Sequence, residues 1–161
     1  MKAIINYQPI GIIHTPYKTR EGMPIQPAGA KGIKGTVEIF SEFQEGLKDI
    51  EGFSYIFLLF HFHQVSGSKL TVIPFLDTQP RGVFATRAPT RPNPIGISIV
   101  RLKHREGNIL HIENVDILDG TPLLDIKPYV AKFDRYPAER SGWLENAKEK
   151  VSEKKSDDRF R

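Results

Sequence analysis

Three prolines within six residues, Pro89, Pro92 and Pro94, dominate the stretch from Arg81 to Ser98, RGVFATRAPTRPNPIGIS. Proline has no N–H to give to a helix or ladder, fixes its own φ, and pushes the residue before it toward extended backbone. A helix is therefore excluded here, and Ala88 to Asn93 is expected as a stiff, extended loop. Short strands are expected on either side, at Val83-Phe84-Ala85 and from Ile95 to Val100. Arg87, Arg91 and Asn93 ride on this frame, so a planar cationic fork and a small amide lose little further freedom on meeting a ligand. Taken alone, the same loop also reads as a rigid crossover whose arginines merely face solvent.

The remaining chain alternates in the manner of strands. Pro9 to His14 opens the pattern, and a long irregular loop runs from Lys18 to Gly35. Gly35 to Phe40 alternates next, with Val37 and Ile39 on one face. Ser41 followed by Gln44 has the form of a capping box and predicts a short helix over Glu42 to Ile50. Phe53 to Phe62 is apolar on both faces, as a central strand would be. Lys69 to Phe75 reads as a further strand, and Ile95–Lys103 with Ile109–Asn114 as a hairpin whose turn contains Gly107. Asp119-Gly120-Thr121-Pro122 is a turn by composition, with Asp119 capping its own backbone, and Leu123 to Lys127 is the last strand. Strands following one another without helices argue for an antiparallel barrel or sandwich. From Ser141, the spacing of Trp143, Leu144, Ala147 and Val151 predicts a short amphipathic helix, and Lys154 to Arg161 is expected to fray. The chain thus divides into a β domain, 1–138, and a C-terminal helix with a charged tail, 139–161.

Composition removes several chemistries. With no cysteine there is no disulfide, thiolate metal site or cysteine nucleophile. A reducing cytosol is the expected home, and Met1-Lys2-Ala3 shows no signal-peptide pattern. The apolar run from Phe53 to Phe62 falls well short of the ~20 residues that cross a bilayer, so no membrane is expected. His61 and His63 would share a strand face, but two histidines are too few for zinc, and no metal is expected. The net charge of +4 favours anionic partners. Its location says more: from Thr78 to Arg105 there are six Lys or Arg and no acid, whereas Glu139 to Arg161 has seven basic and six acidic residues. A phosphate backbone would approach the first of these regions. No Gly-rich loop follows a first strand, so an ordinary Rossmann methyltransferase is not expected.

RGVFATRAPTRPNPIGIS, the downstream DGTPLLDIKPY at Asp119 to Tyr129, the HQ pair at His63-Gln64 and PIGIIHTPY at Pro9 to Tyr17 together resemble the TsaA-like family, which includes the TrmO tRNA methyltransferases. The resemblance implies a mainly β fold, a small antiparallel β-barrel with peripheral short helices. It further implies that the protein is a cytoplasmic homodimer that binds S-adenosyl-L-methionine and methylates N6 of threonylcarbamoyladenosine next to the tRNA anticodon. By the same resemblance Gln26, Pro27, Ala28, His63, Gln64, Arg87, Ile97, Asp119, Gly120, Thr121 and Pro122 belong to the cofactor pocket. Arg81, Arg91, Lys127 and Tyr129 fall to the substrate. Many relatives carry Arg-Gln-Pro-Gly where this chain has Ile25-Gln26-Pro27-Ala28, which removes a cation.

Transfer of a methyl group to an exocyclic amine needs an acceptor for N6–H density. Asn93, beside Pro94, echoes the Asn-Pro element of other amino-methyltransferases by analogy and is the expected acceptor. Two other readings stay open: a noncatalytic RNA-binding barrel, and a methyltransferase of the same fold acting on another substrate. Bacterial relatives often carry an extra C-terminal domain, and RNA grip in this chain would then come from the dimer.

Overall fold

The computed structural model describes residues 2–147 and 153–160. Six strands close into an antiparallel barrel: β1 (Gly11–His14), β2 (Lys34–Ile39), β3 (Tyr55–His61), β6 (Ile95–Glu106), β7 (Ile109–Glu113) and β8 (Thr121–Pro128), in the order β1-β2-β7-β6-β3-β8. Two short strands, β4 (Thr71–Val72) and β5 (Arg81–Gly82), form a separate ribbon. The mainly β fold is the expected one, and no helix among the described residues is long and apolar enough to cross a membrane.

Strand alternation supplies the core. Ile56, Leu58 and Phe60 of β3 point inward and are buried with Val100, Leu110, Ile112, Ile13, Val37, Ile39 and Leu123. Each such aliphatic side chain contributes on the order of 1.5–3 kcal/mol by leaving water. Their neighbours on β3, Phe57 and Leu59, face outward and are only partly covered, so the run's second apolar face lies on the barrel's outside. The strand β6 serves two partners, pairing with β3 along Ile95–Arg101 and with β7 along Arg101–Glu106. The turn after it is made by Gly107, whose φ is 60°.

Several local expectations change. Ser41–Leu47 is a 3-10 helix capped by the backbone of Phe40, with no side-chain cap, so the Ser41 capping box does not form. Val83–Ala85 is a 3-10 turn, not a strand, because Val83 must dip into a second small core with Val72 and Ala88. The strand predicted over Lys69 to Phe75 shrinks to Thr71–Val72. Gly142–Asn146 is a 3-10 turn in place of the amphipathic helix, and Val151 lies outside the described residues. Residues 153–160 do not fray; they pack back on the body of the protein through Phe160, which is 8% exposed.

Barrel closure crowds Gly11 between two strands, where a Cβ would collide with the carbonyl of Glu38. Gly11→Ala is expected to lose about 1–3 kcal/mol of stability by overpacking. Gly46→Ala, which adds its methyl to open space, is expected to change the denaturation midpoint little; urea unfolding of both variants checks this.

Candidate active site

The prolines do what their chemistry dictates: Pro89, Pro92 and Pro94 hold the segment between the 3-10 turn and β6 in one irregular path. The carbonyl of Pro89 accepts the amide of Arg91 at 2.9 Å and that of Pro94 accepts the amide of Phe62 at 2.8 Å. Arg91 is folded back on this loop, its Nη1 donating to the carbonyls of Thr86 at 3.0 Å and Ala88 at 3.3 Å. Arg87 instead reaches across open space and donates from Nη1 to Oε1 of Gln26 at 2.7 Å. The indole Nε1 of Trp143 donates to the carbonyl of Ala85 at 2.8 Å and braces the loop from outside.

Between these groups lies a cavity of about 640 Å³ at the end of the barrel. Its floor is Phe60, Gly96, Ser98 and Ile117, and a Cβ on Gly96 would run into the Phe60 ring, so only glycine leaves both the ring and the floor in place. Its walls bring together Gln26, His63, Gln64, Arg87, Arg91, Ile97 and Thr121 from the expected set. Pro27 starts a 3-10 turn just past Gln26, and Ala28 is exposed on that turn. Neither lines the cavity.

The Asp119 turn acts at one remove. Its carboxylate does not cap its own backbone; it accepts the Thr15 amide at 2.9 Å and Lys18 Nζ at 2.6 Å, and Lys18 is a cavity wall. The Lys18 bond, then the Thr15 amide, hold the Asp119 carboxyl below its ordinary range. Gly120, with φ of 75°, passes its amide to the carbonyl of Ile13, and Pro122 is already within β8 opposite Ile12.

The other expected residues lie elsewhere. Arg81 is paired with Asp77 at 2.6 Å, Lys127 with Asp125 at 2.9 Å, and the Tyr129 ring packs edge-on against Phe57 at 5.6 Å on the barrel's outside. Asn93 is exposed and does not line the cavity; its carbonyl accepts the Ile95 amide at 2.7 Å.

Sequence reasoning missed Asp116. Strand alternation would have turned it outward from between Val115 and Ile117, both almost fully buried. Asn114, however, has φ of 65°, so the segment after β7 leaves the pleat and Asp116 lines the cavity. Its Oδ1 accepts the Ser98 hydroxyl at 2.6 Å. Burial pushes its pKa up to about 6, against the opposing effects of the Ser98 hydroxyl, its own amide and the charge of Arg87. The usable signal was an acid flanked by apolar residues directly ahead of a glycine turn. His63, by contrast, is lowered by burial and then by His61, which favours a neutral imidazole; its Nδ1 is 3.4 Å from Thr121 Oγ1.

An apolar pocket carrying carboxylates, amides, an imidazole and the guanidinium groups of Arg20, Arg87 and Arg91 suits a polar organic ligand with separated charges. The model of the tRNA-methyltransferase O N-terminal domain matches residues 12–135. A "Probable S-adenosyl-L-methionine-binding protein" of Pyrococcus abyssi is 59% identical over 157 residues, which is 98% of this chain and 85% of that protein. The tRNA (adenine(37)-N6)-methyltransferase of Escherichia coli is 37% identical over 88% of this chain, which spans 64% of the enzyme. The crystal structure of TrmO from Pseudomonas aeruginosa superposes with a TM-score of 0.74 at 40% identity, covering 88% of this chain and 63% of that one. The chain belongs to the family of the tRNA-methyltransferase O N-terminal domain.

Proposed function

We propose that the protein is an S-adenosyl-L-methionine-dependent methyltransferase acting on N6 of the adenosine next to the tRNA anticodon, in its threonylcarbamoylated form. The observation that carries this reading is the cavity itself, which Asp116 lines together with Arg87, Gln26, His63 and Gln64, the charge of Arg87 acting on the Asp116 carboxyl. Relatives that bear the methyltransferase name, in E. coli, mouse and human, support it. So do archaeal relatives named for binding the methyl donor.

The donor set fits that cofactor. Gln26, His63, Gln64, Arg87 and Thr121 would hold its polar groups, with Phe60, Phe62 and Ile97 against its apolar parts. When bound, it supplies an electrophilic methyl group on a sulfonium. Pockets of roughly 300–1,000 Å³ take drug-sized ligands, and about 640 Å³ leaves room for a base turned out of its stack beside the cofactor. The chain's part is alignment for an in-line displacement, which is worth several kcal/mol, and removal of the N6 proton. Asp116 takes that proton: its carboxylate is held by Ser98, and its pKa near 6 leaves it ionised at neutral pH yet basic enough to accept. Asn93, outside the cavity, would meet the anticodon arm, and Arg81, Lys127 and Tyr129 would lie under more distant parts of the RNA. A cytosolic location accords with a tRNA substrate and a cysteine-free chain.

A homodimer completes the reading. Ile95, Ile97 and Ile99 on the outer face of β6 are 38%, 47% and 37% exposed, and their partners in register, Leu59 and Phe57, extend the same patch. A second copy related by a two-fold axis would cover it. Because Ile95 and Ile97 also border the cavity, that copy would close the mouth of the site.

Calorimetric titration with S-adenosyl-L-methionine, followed by mass spectrometry of threonylcarbamoylated tRNA after incubation, tests the activity; a folded protein that binds no donor defeats it. Asp116→Asn is expected to bind the donor within a few-fold of wild type while losing about 10²–10⁴ in kcat. The wild-type rate should rise with pH through about 6 as Asp116 ionises, and that limb should vanish in Asp116→Asn.

The same raised value has a cost in the free protein. Between the ordinary 3.8 and about 6 the folded state keeps a proton that the unfolded chain releases, so stability falls as pH rises through that window. Melting curves of wild type and Asp116→Asn across it should diverge accordingly. Ile99→Arg, which does not touch the cavity, should yield a monomer by light scattering.

A further inference from the structure

Residues 153–160 lie beyond the stretch that the family match covers, 12–135, yet they are bonded to both sides of the site. Ser156 is zipped to one side: its amide donates to the carbonyl of Met23 at 2.7 Å and its carbonyl accepts from Gly22 at 3.0 Å. Its Oγ accepts the Met23 amide at 3.0 Å and donates to the carbonyl of Arg20. On the other side, Arg159 donates from Nη1 to the carbonyl of Pro74 at 2.7 Å, and its guanidinium lies 5.1 Å over the Phe75 ring. Phe160 joins the two. Its carbonyl accepts from Arg20 Nη1 at 3.0 Å, and its ring meets Phe75 edge-on at 4.9 Å. That ring is buried with Val72, Val83 and Ala88, directly beneath the loop that carries Arg87.

The loop ending in Gln26 and the loop carrying Arg87 are opposite walls of the cavity, joined across it by the exposed hydrogen bond between these two side chains. A bond of that kind competes with water and holds a long loop only weakly. The apolar anchor and the backbone zipper of the C-terminal segment hold it far better. Asp157 adds no loose charge to the wall, because the Arg159 fork grips its carboxylate at 2.7 to 3.0 Å.

Resting on the methyl-donor reading above, we infer that residues 153–160 are a strap belonging to the donor-binding site, with Phe160 the positioning residue that sets Gln26 against Arg87. The test uses full-length Phe160→Ala, Phe160→Leu and Ser156→Ala proteins, titrated with S-adenosyl-L-methionine and followed by hydrogen exchange at the amides of Gly22 and Met23. Phe160→Ala should raise Kd roughly tenfold or more and speed exchange at both amides. Phe160→Leu should restore both, and Ser156→Ala should fall between. Melting temperature should change little, because Phe160 belongs to the small second core and not to the barrel core. Either an unchanged Kd or unchanged exchange in folded Phe160→Ala overturns the strap. Absence of donor binding by the wild type defeats the methyl-donor reading instead, and exchange at Gly22 and Met23 still decides whether the strap ties the loops.

Discussion

Everything else in the molecule depends on the pairing that closes the barrel, a four-residue strand, β1, hydrogen-bonded to β2 on one edge and to β8 on the other. So short a strand contributes few backbone bonds, and its hold comes from Ile13, which is fully buried among residues of the barrel core. Once the sheet is closed there is no free edge in the barrel for another chain to extend. Closure also decides where the site is. Thr15, just past β1, donates its hydroxyl to the carbonyl of Ile117 at 2.7 Å, which pulls the segment carrying Asp116 over the open end of the barrel.

Above a floor supplied largely by β3 and β6, most of the site is built from chain that is not strand. β3 ends at His61 and β6 begins at Ile95, so the residues between them must leave and re-enter the barrel at neighbouring positions, because His61 and Ile95 pair in register. A flexible excursion of that length would smear its arginines over many positions. Proline, which removes donors and fixes φ, makes a single path affordable without regular structure. Arg91 then serves the loop's own carbonyls, and Arg87 is left to project into the cavity. Two arginines four residues apart thus have different work, which their spacing alone does not reveal.

The barrel was legible because a period of two, interrupted by turn residues, has few other solutions. Val37, Ile39, Ile56 and Leu58 face inward as their alternation requires. Local chemistry misled where tertiary packing overrode it. Val83-Phe84-Ala85 has strand composition, but Val83 is needed in the second core and the backbone turns to deliver it. Asp119 has the composition of a self-capping turn, but Thr15 and Lys18, more than a hundred residues away, are better partners. Asp116 escaped because a left-handed residue at Asn114 breaks the alternation that would have placed it. The final segment escaped for a different reason: its charges read as solvated tail, and the value of Ser156 and Phe160 lies in a loop far upstream that no local pattern names.

The bond from Trp143 to the carbonyl of Ala85 has a practical consequence. The chain contains one tryptophan, and its indole is tied to the turn that leads into the arginine loop. The protein's tryptophan emission therefore comes from a single place, beside the part of the site that a ligand would press upon. Changes in its wavelength or quenching on adding a small molecule or an RNA can be assigned to that loop, without labels and without ambiguity from a second emitter of the same kind.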